Sequence, residues 1–114
     1  MREQFGLISR PRSNFWRHYH IAAAHFVAGD YEASLHESKR IARSRPLLTS
    51  AIIWAASAAA LDKPEEARAA VDNCLARRSD LRVGQVVPDF MLRFAREEDH
   101  ERLLALLRKA GLPE

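Results

Sequence analysis

The sequence predicts an all-α protein assembled from helical hairpins, and three observations carry that expectation. Good helix formers, Ala, Leu, Arg and Glu, dominate the chain. The few glycines and prolines fall mainly between stretches whose apolar residues recur at helical spacing. The punctuation of one hairpin returns 33 residues later in a second. With 114 residues, 47% of them apolar and 29% charged, the chain is too hydrophobic for disorder and long enough for one continuous core, so a single folded domain is expected.

Residues 1–14 end in Arg10, Pro11, Arg12, Ser13 and Asn14 and read as an N-terminal leader or helix remnant, leaving 15–114 as the domain. From Phe15 to Ala28, Tyr19, Ala22, Ala23, Phe26 and Val27 recur at helical spacing; Asn14 is a candidate cap and Gly29 a stop. Asp30 is placed to cap a second helix from Tyr31 to about Ser44, with Leu35, Ser38, Ile41 and Ala42 on one stripe and Pro46 beyond its end. A third helix is expected from about Leu47 to Leu61, broken at Asp62, Lys63 and Pro64, because proline suits the first position of the next helix. That fourth helix, Pro64 to Arg77, should bury Ala67, Ala70, Val71, Cys74 and Leu75 and turn Glu65, Glu66, Arg68, Asp72 and Arg77 to water. The third pair comprises an apolar segment from about Val83 to Phe94, interrupted by Pro88, and an amphipathic helix from Asp99 to Ala110. In the latter Asp99 is the candidate cap, Leu103, Leu104, Leu106 and Leu107 form the core face, and Gly111 and Pro113 end it.

The repeat sharpens the fold class. Gly29 through Leu35 lie over Asp62 through Arg68, and the small-residue places of a 34-residue helix-turn-helix pattern hold Ala22, Ala55 and Ala67, where two helices must approach closely. The turn "AGDYEAS" with Pro46 resembles a tetratricopeptide (TPR) repeat, so a TPR-like α-α superhelix of about three hairpins is expected. Together "HIAAAHFVAGDYEAS", "AAALDKPEEARAAV" and "ERLLALLRKAGLPE" resemble the C-terminal TPR region of proteobacterial class III adenylate cyclases and CadC-like winged-helix regulators, over about residues 15–114. The resemblance implies a non-enzymatic module for protein interaction, in scaffolding or signalling, and not cyclase or DNA-binding activity: the catalytic domain and the winged helix have no counterpart here. It also implies that the first helix of each hairpin lines a concave groove for a protein or peptide. On this chain the groove residues would be Trp16, Tyr19, Ala23, Phe26 and Val27, together with Thr49, Ile52, Ala56 and Ala59. The Lys and Asn set with which chaperone-binding TPRs clamp a terminal carboxylate is missing. Trp16, Tyr19 and Phe26 have an equal alternative use in packing the leader or a second copy of the chain.

No catalytic, cofactor or metal site is expected. The single cysteine, Cys74, falls on an apolar stripe without a basic neighbour and allows neither an internal disulfide nor a C-x-x-C site; it reads as a small hydrophobe in a cytoplasmic protein. The apolar run from Ala51 to Leu61 is far shorter than the ~20 residues of a membrane span. His18 and His20 point to different faces of one helix and His18 and His25 lie about 10 Å apart by helix rise, so metal binding is disfavoured and His25 reads as a core histidine with a local hydrogen bond. Glu97, Glu98, Asp99 and Glu101 sit where a helix dipole favours negative charge.

The net charge of +3 comes from 15 arginines against 3 lysines, grouped at Arg10, Arg12 and Arg17, at Arg40, Arg43 and Arg45, and at Arg77, Arg78 and Arg82. Phosphate contacts would make the chain a basic nucleic-acid binder. The favoured reading of the second and third groups is complementation of helix C-termini. Self-association through an open apolar end, in a remnant of a longer signalling protein, is the further alternative.

Overall fold

The computed structural model describes residues 20–44, 48–86 and 96–114, and among them the ordered elements are helices with no strand. We label them α1 (residues 20–28), α2 (Tyr31–Ser44), α3 (Leu48–Ala60), α4 (Pro64–Arg77) and α5 (Glu97–Ala110), with one 3₁₀ turn at Val83–Gln85. The all-α expectation holds, and the predicted spans of α2 and α4 coincide with those observed.

The same backbone device ends three of the helices. After α1, Gly29 takes φ 85°, its N–H donates to the Phe26 carbonyl at 3.0 Å and the Asp30 N–H to the His25 carbonyl at 2.9 Å. After α3, Asp62 takes φ 58°, with Asp62 N–H on Ala59 and Lys63 N–H on Ala58. After α5, Gly111 takes φ 106°, with Gly111 N–H on Arg108 and Leu112 N–H on Leu107. Each is a Schellman closure. The first two lie 33 residues apart, so the repeat seen in the sequence is a repeat of turn geometry. The helices beyond these two turns start differently: Asp30 caps α2 by accepting the Ala33 N–H at 3.3 Å, whereas α4 starts on Pro64 without a side-chain cap.

α3 is the centre. Ten of its thirteen residues, Ser50 through Ala59, are buried, as befits a helix apolar on every side. It is sheathed by α2, α4 and α5. The predicted small residues Ala22, Ala55 and Ala67 are all buried. Beside them a polar seam crosses three helices: the Ser57 hydroxyl donates to Ser34 Oγ at 2.9 Å, and Ser34 donates to the Ala22 carbonyl at 3.0 Å. This satisfies hydroxyls in a crossing too tight for larger side chains.

Three expectations are corrected. Asp99 does not cap α5: Arg96 holds that position, and Asp99 lies inside the first turn, 6% exposed, where it pairs with Arg102. Glu66 does not face open water but lies half-buried against Trp54 and Lys39. Finally, Val83 does not begin an α-helix. Its N–H donates to the Pro113 carbonyl at 2.9 Å and the Gln85 side chain accepts the Arg82 N–H, so the segment closes into a 3₁₀ turn held by the C-terminal tail. The rest of that predicted helix, including Pro88, lies outside the described residues, as do 1–14 and the start of the first helix.

Candidate interaction surface

The expected groove residues converge, but inward. Ala23, Phe26, Ile52, Ala56 and Ala59 are all in the core, none more than 3% exposed. Val27 and Thr49 are half-buried, the Thr49 hydroxyl having no hydrogen-bond partner. Trp16 and Tyr19 lie outside the described residues.

Among the described helices, α5 meets this face at Phe26, Val27 and Ala59. It is strongly amphipathic, placing Leu103 and Leu107 wholly in the core with Leu104 and Leu106 at their margin. One side chain, Arg102, fixes it to the first hairpin. Its Nη2 donates to the Val27 carbonyl at 3.1 Å and the Phe26 carbonyl at 3.4 Å, while Nη1 donates to Tyr31 Oη at 2.9 Å. The guanidinium also stands 5.1 Å from the Phe26 ring centre and 5.9 Å from that of Tyr31, the two rings meeting edge to face. Asp99 Oδ1 accepts from the same Nη2 at 3.1 Å, and Arg96 Nε approaches the other oxygen at 3.5 Å. A fixed planar fork is what allows one cation to serve two carbonyls, a phenol and a carboxylate. Seven residues on, Lys109 Nζ pairs with Asp62 Oδ1 at 2.6 Å, at the turn between α3 and α4, and shares a cleft with Ala59, Pro64 and Ala67. α5 therefore spans from the α1–α2 turn to the α3–α4 turn.

Across the other side of α3, Glu66 joins three helices. It accepts Trp54 Nε1–H at 2.9 Å and pairs with Lys39 Nζ at 2.7 Å, the ammonium lying 5.9 Å from the Trp54 ring centre. The Lys39 contact holds the Glu66 carboxyl below its ordinary 4.5, with the Trp54 hydrogen bond acting in the same direction against the opposing effect of burial.

Four arginines of these groups have local partners. Arg77 Nη2 donates to the Ala42 carbonyl in the last turn of α2 at 2.8 Å, so it complements a neighbouring helix as well as ending its own. Arg40 pairs with Glu37, Arg78 with Asp80, and Arg82 donates to the Leu81 carbonyl. Arg10, Arg12, Arg17 and Arg45 lie outside the described residues.

Among the described residues no group of three metal-ligating side chains comes together. His25 is not a core histidine: its side chain is 37% exposed and its Nδ1 lies 3.8 Å from Asp30, beyond hydrogen-bond range. His100 has a close partner, its Nε2 donating to the Val86 carbonyl at 2.8 Å. Cys74 is buried, and burial pushes its thiol up to about 12.

Arg102 is absent from the residues that the sequence singles out, and Tyr31 and Glu66 enter there only as a helix start and a solvent-facing carboxylate. The one signal for Arg102 is its i,i+3 spacing from Asp99 beside Leu103, a charged pair at the edge of an apolar stripe.

Comparison with family models, with curated proteins and with solved structures finds no match to this chain. Among the described residues no helix is long and apolar enough to cross a membrane.

Proposed function

We propose that this chain is a non-enzymatic protein-interaction module, a TPR-like scaffold or regulatory domain of bacterial cytoplasmic signalling. The observation that carries the reading is the seating of α5: two helical hairpins joined by repeated turns present a face that accepts an amphipathic helix through an arginine and two leucines. Surfaces of this kind recognise helices by anchors at helical spacing. The 33-residue period of the two turns supports stacking of the hairpins in the TPR manner, and the sequence resemblance supports the regulatory setting.

The test is capture from a native extract with the intact chain as bait, and then calorimetric titration of each recovered protein in purified form. Saturable binding at fixed stoichiometry is expected. Recovery of nothing that binds saturably counts against the reading. So does a gel-shift titration in which the chain retains nucleic acid with steep salt dependence, which would return the arginines to phosphate binding.

A further inference from the structure

We propose that the open groove between α4 and the last turn of α5 is a docking site for a partner's peptide segment in which apolar side chains adjoin a carboxylate. The proposal rests on the interaction-module reading and gives that reading a surface and a partner chemistry.

The groove arises where helix packing leaves a gap. Both α4 and α5 lie against α3, but they touch each other little. The space left between them has a volume of 390 Å³ and is lined by Pro64, Ala67, Val71 and Leu75 on one side and by Lys109 and Ala110 on the other. At Pro64 and Ala67 it runs into a second cleft of 320 Å³ that reaches Ala59 and Asp62. Ala67 and Val71 at the floor are buried, while Leu75 and Ala110 at the margin are half-buried, so an apolar guest removes further apolar area from water. Clefts of this size with an apolar floor and a few polar groups at the rim are where ligand side chains lodge.

Charge at the rim selects the guest. Lys63, Arg68 and Lys109 stand around the groove, with Asp62 and Asp72. Lys109 is taken up by Asp62 at 2.6 Å. Lys63 attracts Glu66 from longer range, and among the described residues neither Lys63 nor Arg68 closes an ion pair. Along α4 the cations come first and Asp72 follows Arg68 by one turn, about 6 Å of helix rise. A complementary guest therefore carries its carboxylate at the Lys63 and Arg68 end and no acid at the Asp72 end. A nucleic-acid strand has little to offer the apolar floor and would set its phosphates against Asp62 and Asp72. A second copy of the chain matches no better: among the described residues Ile21, 38% exposed, is the exposed large apolar side chain, and beside it on α1 stand His20, Ala24 and His25, none of them acidic.

The experiment titrates the intact chain with a fluorescent peptide of glutamates followed by serine-spaced leucines, and with a counterpart in which lysines replace the glutamates. Anisotropy reads affinity, and amide shifts of the isotope-labelled chain read location. Saturable binding of the glutamate peptide is expected, about tenfold tighter than the lysine peptide, with shifts at Ala67, Val71 and Ala110. Lys63→Glu with Arg68→Glu, both at exposed side chains, should loosen the glutamate peptide about tenfold and tighten the lysine peptide. Circular dichroism checks that this chain keeps its helices; if it does not, Arg68→Ser alone takes its place with a several-fold loosening expected. Absence of saturable binding, equal affinity of the two peptides, or shifts confined to other faces overturns the proposal. An oligonucleotide that displaces the peptide more strongly than unlabelled peptide does, or a dimer in sedimentation that Arg68→Glu dissolves, overturns it too, since the occupant is then nucleic acid or a second copy. If proteins recovered by capture bind the doubly altered chain as well as the original, this groove proposal fails and the module reading stands.

Discussion

Arg102 concentrates more of the tertiary polar contacts than any other side chain described, and its neighbour Asp99 is nearly buried. Removing one member of such a pair leaves the other without its partner in a poorly solvated place. Arg102→Ala should therefore lower stability by about 2–4 kcal/mol in urea unfolding. A double-mutant cycle with Asp99→Ala should show a coupling of about 1 kcal/mol or more; additivity would mean that the pair acts only by proximity. Glu66 makes a different prediction. Its carboxyl is held below the ordinary value in the folded state, so its contribution is complete above about pH 4.5 and is lost as pH falls through the lowered value. Glu66→Gln should remove that part of the acid dependence and lower stability at neutral pH. Equal acid sensitivity of the two proteins would show that Lys39 and Trp54 contribute nothing to the folded state.

At the level of the elements, the turns are set by backbone conformation more than by contacts. A Cβ added at Gly29 or Gly111 would meet nothing within 4 Å, yet both residues have positive φ. Gly29→Ala and Gly111→Ala should each cost about 1–2 kcal/mol by thermal melting, all of it backbone strain. Gly84 has equally open surroundings without the positive φ, so Gly84→Ala should be neutral or slightly stabilising. A similar loss at all three positions would remove the left-handed turn as the cause. That Asp62 holds the equivalent place in the second turn, at φ 58°, shows that the geometry is imposed by the hairpin and is only cheaper with glycine.

For the molecule as a whole, the consequence of a central α3 is that few local openings expose its surroundings. Cys74, wholly buried and with its thiol pushed up to about 12, reports on this. Its reaction with an aromatic disulfide reagent at neutral pH should be slow in the native state and track global unfolding with denaturant. Rapid labelling without denaturant would show that α4 separates from α3 on its own. Crowding around α3 also predicts that Ala56→Leu loses about 1–3 kcal/mol, since ridge and groove are already filled by alanine.

The sequence by itself determined α2 to α5, their order, the proline and glycine stops, and most of the stripes that turn inward, though not the 3₁₀ turn at Val83, because these depend on spacing and on local backbone preference along a few turns of chain. The apolar run of α3 was readable as buried, as was the inward face of α4 that carries Cys74. It did not determine where Val83 would send its N–H, why Asp99 would be buried, or that the aromatic end of the expected groove would meet a guanidinium from a residue 76 positions away. Those outcomes belong to the tertiary structure, for a physical reason. Periodicity says that a face is apolar but not which helix covers it, and an arginine at the edge of a stripe stays on the surface unless packing brings helix-terminal carbonyls within its reach.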